Sequence, residues 1–238
     1  MKDVKVITEI RLENVTFGYD PNQPIFKNLT LDIPTKQNVL VGGPPGQGQS
    51  TLLKLLAVVH QPPQGKVIIN GQDTSQMSFE EFLPFRKKIG YTFDYGGLFA
   101  NRTLLDNLTL PLLYHGICPR DEAYARAEWF AEDFKFTNRL QQKPAAVTGG
   151  LRKLVSVLRT LLLEPEMLVM DDPFMGVDTE NVRRLIRLIA EKRDTGEIKH
   201  LFFTSRDEVW PQKLGFELLT VKDGNFRFAN EDLNKVAA

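Results

Sequence analysis

The residues best suited to chemistry lie in a glycine-rich stretch whose spacing matches a phosphate-binding loop. It reads Gly43-Pro44-Pro45-Gly46-Gln47-Gly48-Gln49-Ser50-Thr51. Glycines let backbone N–H groups approach phosphate oxygens, and a helix beginning near Ser50 adds a positive dipole end. In this motif the Ser50 hydroxyl stands where a Mg²⁺ ligand is needed. We therefore expect nucleotide contacts from Gly43, Gly46, Gly48, Gln49, Ser50 and Thr51.

Gln49 departs from this motif, because a complete phosphate-binding loop has a lysine at that position. A lysine brings a full positive charge to the β- and γ-phosphates. Such a charge pair contributes roughly 4 kcal/mol at about 4 Å and an effective dielectric near 20. Gln49 can donate a hydrogen bond but carries no charge. Taken alone, the stretch is explained equally well by a weakened phosphate site or by a Gly/Pro turn without a ligand.

The elements around this stretch alternate between β-rich and helical runs, which indicates an α/β fold. A buried strand at Asn38–Val41 leads into the stretch, and a helix at Ser50–Val59 follows it. Another apolar strand, Met167–Met170, ends directly before Asp171 and Asp172. The remaining predicted strands are Val4–Phe17, Ile25–Pro34, Lys66–Asn70 with a turn at Asn70-Gly71, His200–Thr204, and a hairpin of Phe216–Val221 and Phe226–Phe228 around Asp223-Gly224. The remaining predicted helices are Leu104–Tyr114, a helix from Asp121 with Tyr124, Ala127, Ala131 and Phe134 on its core face, Leu151–Leu163, and Glu180–Lys192.

Composition is that of an ordinary globular protein and disfavours nucleic acid as a partner. Of 238 residues, 42% are hydrophobic and 25% are charged, and 30 Lys and Arg balance 30 Asp and Glu. This neutrality leaves no basic field for nucleic acid. The single Cys118 excludes a disulfide framework and a cysteine-rich metal site. Because Met1–Glu13 lacks the apolar core of a secretion signal and no run is long enough to span a membrane, we expect a cytoplasmic protein.

Four motifs in a fixed order resemble the nucleotide-binding domains of ABC transporter ATPases. They are the glycine-rich stretch, Thr148-Gly149-Gly150 before a helix, Asp171 after an apolar strand, and Asp178 downstream, with Tyr19 after an early strand. The resemblance covers about residues 12–228 and implies one domain over residues 1–238, with an antiparallel β lobe and a helical subdomain at about residues 95–163. It further implies that Tyr19 stacks on adenine and that Asp171 holds Mg²⁺ through water. Thr148, Gly149, Gly150 and Asp178 would then contact the nucleotide of a second subunit.

A narrower resemblance is to the ATPases of MCE-type (mammalian cell entry) lipid transporters. It rests on Gly97-Leu98-Phe99, Thr103-Leu104-Leu105-Asp106-Asn107, Pro111-Leu112 and Asp172-Pro173-Phe174-Met175-Gly176. Chance drift of another ABC domain to these short motifs is the alternative. The resemblance implies an integral membrane permease as partner, together with an MCE-type lipid-binding protein. It also implies a peripheral position on the cytoplasmic face of a membrane, with the permease docked near Asp94 and the helical subdomain.

The departures from the family pattern fall where hydrolysis takes place. Besides Gln49, Asp94 replaces a glutamine, Asp172 a glutamate and Ser205 a histidine. Losing a lysine charge and gaining an aspartate charge makes the site more negative, which opposes a polyphosphate. Asp172 is one methylene shorter than glutamate, and a misplacement of about 1 Å can cost on the order of 10²-fold in rate. Asp94 could offset part of this by recruiting Mg²⁺ together with Ser50 and Asp171.

Three functions follow as alternatives. The first is a pseudo-ATPase that docks on a permease and binds Mg-ATP weakly or not at all. The second is a slow ATPase in which Asp172 is the base, while Ser50 and Asp171 hold Mg²⁺. The third is one half of a heterodimer that lends Thr148-Gly149-Gly150 to a competent partner, whereas the first two also allow a homodimer. A DNA-repair ABC protein is disfavoured, because no long heptad run occurs.

Overall fold

The computed structural model describes residues 6–33, 38–207, 209–222 and 225–229, and within them strands alternate with helices. The strands are β1 (Ile10–Phe17), β2 (Phe26–Ile33), β3 (Asn38–Gly42), β4 (Gln64–Ile69), β5 (Gln72–Asp73), β6 (Ile89–Thr92), β7 (Met167–Met170), β8 (His200–Phe203), β9 (Glu217–Lys222) and β10 (Asn225–Phe228). The helices are α1 (Gln49–Leu56), α2 (Phe79–Arg86), α3 (Leu104–Tyr114), α4 (Arg120–Asp133), α5 (Gly149–Leu161), α6 (Thr179–Asp194) and α7 (Val209–Gln212). The α/β prediction is confirmed.

Four strands form an antiparallel sheet in the order β2-β1-β4-β5, which is the predicted β lobe. Every second residue of β2 from Leu29 to Ile33 is buried, as expected of a sheet with one face on the core. Asn70 and Gly71 join β4 to β5 with φ of 51° and 73°. Positive φ at both positions is the requirement of a two-residue hairpin turn, so the turn predicted there is confirmed.

Strand β1 begins at Ile10 and not at the predicted Val4, because the backbone before it bonds to a side chain. The N–H groups of Thr8 and Glu9 donate to Oδ1 of Asn70 at 2.8 and 3.2 Å. These donors are therefore not available to a strand ladder. Val4 itself, Pro34 at the end of the second predicted strand and the turn predicted at Asp223-Gly224 lie outside the described residues.

Helices α1 and α5 have boundaries that differ from their predictions for local reasons. Helix α1 ends at Leu56 and not at Val59, because Val58 has a left-handed φ of 52°, which cannot continue a right-handed helix. Helix α5 begins at Gly149, two residues earlier than predicted. Thr148 precedes it as the N-cap, and its side chain accepts a hydrogen bond from the Leu151 N–H group.

Six strands form the second sheet in the order β10-β9-β3-β8-β7-β6, and all neighbours except β10 and β9 are parallel. All residues of β7 and β8 are buried, as is usual for central parallel strands covered on both faces. The pairs Thr92↔Met170 and Met170↔Phe203 align the carboxyl ends of β6, β7 and β8. The segments that follow these strands therefore start from one edge of the sheet.

Helices α3, α4 and α5 lie in sequence between β6 and β7 and share one buried apolar cluster with residues of β7 and β8. On α4, Ala127 and Ala131 are buried, Phe134 directly after it is buried, and Tyr124 is half-buried against the same cluster. The interpretation of this stripe as core is confirmed. No helix within the described ranges is both long and apolar enough to cross a membrane.

A buried polar cluster lies at the edge of the parallel sheet where β7 and β8 begin, opposite the edge formed by their carboxyl ends. Glu166 accepts hydrogen bonds of 3.2 Å from Ile7 N and from Lys199 Nζ, and Lys88 Nζ lies 3.5 Å from its carboxylate. The Nε2 atom of His200 lies 3.0 Å from the Ile7 carbonyl oxygen. Burial lowers the pKa of His200. The cluster ties the segment before β1 to the starts of β7 and β8.

Candidate functional site

The glycine loop, residues 43–51, follows the carboxyl end of β3 and includes the first residues of α1, and its backbone is one that its glycines permit. Gly43, Gly46 and Gly48 have φ of 124°, 82° and 92°. At Gly48 a Cβ atom would stand 2.6 Å from Ile25 Cγ2, so both conformation and space require glycine. Thr51 is buried within α1. The loop thus provides turned backbone and a helix N-terminus, which together suit an anion.

The side chain of Gln49 is bonded within the loop itself. Its Nε2 group donates to the Pro44 carbonyl oxygen at 2.7 Å. The amide therefore braces the loop and brings no charge to it. This arrangement could not be read from the sequence, because it depends on the rotamer that Gln49 adopts.

Asp171 is the centre of a hydrogen-bonded group at the carboxyl edge of the sheet. Its Oδ1 atom accepts from Ser50 Oγ at 3.0 Å and from Thr204 Oγ1 at 2.7 Å. The Thr204 hydroxyl also accepts from Asp172 N at 2.9 Å. Thr204 therefore fixes both acidic positions. The sequence gives only one signal for it, a polar residue directly after a buried strand.

Asp172 is buried and has a left-handed backbone with φ of 47°, a conformation that costs non-glycine residues on the order of 1 kcal/mol. Arg206 Nε lies 3.4 Å from its Oδ2 atom, which has no hydrogen-bond partner among the residues that the structure describes. Burial raises the pKa of Asp172, while the Arg206 backbone N–H and the charges of Lys153 and Arg206 lower it. Asp172 is thus a carboxylate held in a poorly solvated place beside one exposed cation.

Lys153 of α5 is a buried cation behind this group, with 4% of its surface exposed. Its Nζ atom donates to the carbonyl oxygens of Phe93 and Asp171, each at 3.2 Å. Burial lowers its pKa, and the carboxylates of Asp172, Asp94 and Asp171 act in the opposite direction. The sequence does not single out Lys153, because its partners are 60 and 18 residues away along the chain.

One cavity of about 200 Å³ unites many of the predicted residues, and we call it the glycine-loop cavity. Its lining includes Gly43, Gly46, Gln49, Ser50, Asp94, Asp171, Asp172, Thr204, Ser205 and Arg206. The Ser205 hydroxyl donates to Asp207 O at 2.9 Å within its own loop. The volume suits a phosphate chain better than a whole nucleotide, since small-molecule pockets are usually about 300 Å³ or larger.

Ser50 and Asp171 fit a Mg²⁺ ion by chemistry and by position. A hydroxyl and a carboxylate oxygen are hard donors of the type that Mg²⁺ prefers, and here they already lie 3.0 Å apart. Within the described ranges, no group of three or more His, Cys, Asp or Glu side chains could hold a metal ion. Phosphate oxygens and water would therefore complete the coordination shell. Asp94 lines the same cavity, and its role as a ligand stays a prediction.

Tyr19 lies outside the lining of the glycine-loop cavity and is 61% exposed. Its ring makes edge contacts with Phe17 and His60, at centroid distances of 5.5 and 5.7 Å. Lys54 Nζ lies 3.3 Å from the Tyr19 hydroxyl and 5.7 Å from the ring centroid. An exposed ring held in this way can stack on a base.

The signature segment, Thr148-Gly149-Gly150, lies on a different cavity. This signature cavity has a volume of about 490 Å³ and shares no lining residue with the glycine-loop cavity. Its lining includes Thr148, Gly150, Gly176 and Asp178. At Gly150 a Cβ atom would stand 1.8 Å from the Gly176 carbonyl oxygen, so the two segments pack backbone to backbone. Asp178 caps α6 by accepting from Asn181 N at 3.0 Å.

Comparison with protein families matches residues 26–175 to the family described as ABC transporter. The chain belongs to the ABC transporter family. Among curated relatives, the lipoprotein-releasing system ATP-binding protein LolD of Bacteroides thetaiotaomicron is 32% identical over 78% of this chain and 84% of its own length. The intermembrane phospholipid transport system ATP-binding protein MlaF of Escherichia coli K12 is 28% identical over 71% of this chain and 63% of its own.

Other members of the ABC transporter family match over different shares of their length. The sulfate/thiosulfate import ATP-binding protein CysA of Mesorhizobium japonicum is 30% identical over 84% of this chain, which spans 57% of that relative. Among solved structures, the dimeric post-hydrolysis state of the ATP-binding cassette MJ0796 bound to ADP and Pi has a TM-score of 0.81 at 26% identity. It covers 92% of this chain and 97% of its own, and confirms the predicted ABC ATPase fold.

Proposed function

We propose that this chain is an ABC transporter subunit that docks on an integral membrane permease and has lost most or all ATP hydrolysis. It binds Mg-ATP weakly or not at all. One observation carries the proposal. Gln49 stands at the position where the motif has a lysine, and its side-chain amide donates a hydrogen bond to the Pro44 carbonyl oxygen. Without that charge, the loop offers a polyanion backbone dipoles and neutral hydroxyl groups but no cation.

The charges of the glycine-loop cavity also support weak hydrolysis. Phosphoryl transfer depends on cations that stabilise charge on the transferred group. The cavity lining has three carboxylates, those of Asp94, Asp171 and Asp172. Among the described residues, its cationic side chain is Arg206, which is 75% exposed. The Ser205 hydroxyl is bonded to Asp207 and replaces the family's histidine. Binding and turnover are both disfavoured.

A slow ATPase is the second candidate, and the Ser50–Asp171 pair favours it. Their 3.0 Å hydrogen bond keeps two Mg²⁺ donors together, and Asp172 follows at once in the chain. In that case Asp172 is the base, despite its shorter side chain. The raised pKa of Asp172 is in the direction that suits a base working near neutral pH.

A half-site in a heterodimer is the third candidate, and the separation of the two cavities is consistent with it. The signature segment lines a cavity that shares no lining residue with the glycine-loop cavity of its own chain. It is therefore available to the nucleotide of another subunit, as the dimeric relative suggests. Purification of the native complex tests this, since a strict homodimer excludes the third candidate.

The partners and location that we propose rest on the relatives. Similarity to LolD and MlaF supports a peripheral position on the cytoplasmic face of a membrane and a lipid-related cargo. An MCE-type lipid-binding protein is the proposed further component. We assign residues 1–238 to one nucleotide-binding domain, in which the helices of about residues 95–163 form the subdomain that meets the permease.

Calorimetry and a turnover assay on the same preparation test the proposal. We expect Mg-ATP binding in the millimolar range or none, and no turnover above that of the Ser50→Ala variant. The same comparison is made with the native permease present, because docking could complete the site. Turnover that Ser50→Ala and Asp171→Ala both abolish would overturn the pseudo-ATPase and favour the slow ATPase.

A further inference from the structure

A single ammonium group connects helix α5 to the ends of two strands. Lys153 Nζ donates to Phe93 O, just beyond β6, and to Asp171 O, just beyond β7. Both distances are 3.2 Å, and the side chain is almost fully buried. One of these carbonyl oxygens belongs to Asp171, and the other belongs to Phe93, the residue directly before Asp94. The side chains of both Asp171 and Asp94 line the glycine-loop cavity.

The charge of Lys153 lies next to the acidic wall of that cavity. Its electrostatic partners are Asp172, Asp94 and Asp171, with Arg206 as the opposing cation. Arg206 is exposed to water, which screens its charge, whereas Lys153 is buried and screened much less. Of these two charges, Lys153 lowers the pKa of Asp172 more than Arg206 does.

We infer that Lys153 is a positioning residue whose charge sets the balance between a bare cation and a phosphate chain in the glycine-loop cavity. Its two hydrogen bonds hold the backbone from which Asp94 and Asp171 project. Its charge offsets part of the acidic wall and part of the charge missing at Gln49. The inference rests on the proposed function only in taking this cavity as the phosphate site.

The inference predicts effects of opposite sign for two probes. Removal of one positive charge near the cavity strengthens binding of Mg²⁺ alone and weakens binding of ATP in the absence of metal. At an effective dielectric near 20, a unit charge within about 8 Å changes each affinity by about tenfold or more. A general loss of structure would weaken both probes, so the opposed signs separate charge from folding.

The experiment titrates Mg²⁺ alone, and metal-free ATP alone, into the wild-type chain and Lys153→Met at low salt by calorimetry. We expect Mg²⁺ to bind the variant about tenfold more tightly, or measurably where the wild type shows nothing, and ATP to bind more weakly. Lys66→Met is the matched control, because Lys66 lies in β4 away from the cavity lining. It changes net charge equally and should leave both titrations unaltered.

Charge rescue gives a second readout. Adding Asp94→Asn to Lys153→Met removes one negative charge from the exposed cavity wall and should return the affinity for metal-free ATP to within about threefold of the wild type. Lys153→Gln, which can still donate one hydrogen bond, replaces Lys153→Met where that variant does not fold. Unchanged or weaker Mg²⁺ binding in a folded variant overturns the inference. Rapid ATP turnover by the wild type would refute the pseudo-ATPase alone, since these titrations involve no turnover.

Discussion

The amide of Gln49 and the carbonyl oxygen of Pro44 are joined by a 2.7 Å hydrogen bond across the glycine loop. The bond gives the Pro44 carbonyl oxygen a donor, and it stabilises the loop without a ligand. A loop that supplies its own donor has less need of a phosphate to order it. The two roles of this position, bracing the loop and attracting a phosphate, can be separated by substitution.

Gln49→Lys is expected to raise affinity for Mg-ATP by about tenfold or more, because it restores a unit charge beside the phosphates. Calorimetry at fixed salt measures the change. Gln49→Met is the control: it removes the bond to Pro44 O without adding charge, and should lower stability by about 1 kcal/mol. Equal affinities for wild type and Gln49→Lys would mean that the missing charge is not what limits binding.

Thr204→Val is expected to lower the free energy of unfolding by about 1–3 kcal/mol, because it leaves Asp172 N and one bond of Asp171 unsatisfied. It should also weaken any Mg²⁺-dependent binding, since Asp171 is no longer held beside Ser50. Thr204→Ser keeps the hydroxyl and should behave like the wild type. Urea unfolding with and without Mg²⁺ measures both effects, and a fully stable Thr204→Val protein would contradict the assignment.

Gly150→Ala is expected to destabilise the chain by about 1–3 kcal/mol, because its Cβ atom would meet Gly176 O at 1.8 Å and backbone must move. Gly149→Ala is a closely matched control. There the nearest atom to a Cβ is an Arg152 guanidinium nitrogen at 3.7 Å, an ordinary contact. Thermal unfolding of both variants compares them, and equal melting temperatures would show that the signature segment is not packed on Gly176.

Stability should fall as pH drops below about 6.5, the ordinary pKa of histidine, because burial lowers the pKa of His200. Between the lowered value and 6.5 the unfolded chain binds more protons than the folded one, so acid favours unfolding. Arg193 and Lys199 oppose the charged ring, whereas Glu166 and the bond to Ile7 O favour it. His200→Gln should flatten the pH dependence measured by urea unfolding.

Substitution of another histidine is the control for this pH dependence of unfolding. His60 and His115 are less buried, and the pKa of each is also lowered by burial. His200→Gln should therefore remove a larger part of the slope than His115→Gln does. A slope that is the same in wild type and His200→Gln would mean that His200 is not the group that responds.

The fold was largely predictable from sequence because its signals are local. The apolar run Met167–Met170 is a strand, and the amphipathic run predicted at Glu180–Lys192 lies within α6. The predicted start of β1 was wrong, because the acceptor that competes for the N–H groups of Thr8 and Glu9 is Asn70 Oδ1, about 60 residues away along the chain. Periodicity carries no information about such a bond.

The site was predictable only in its motif positions. Ser50, Asp94, Asp171, Asp172 and Ser205 line one cavity as their positions in the motifs imply. Lys153 and Thr204 were not predicted as site residues, because only the tertiary fold brings them to Asp171. The net charge of the site, when counted from the motif positions alone, therefore omits the buried ammonium group of Lys153.

The glycine-loop cavity and the signature cavity have no residue in common. In the half-site that we propose, a ligand lies between the glycine-loop cavity of one chain and the signature cavity of another, and its occupancy then depends on how many chains are paired. Dilution below the dissociation constant of the pair would release such a ligand without any change in the residues that touch it. The cellular copy number of the chain would then regulate the site.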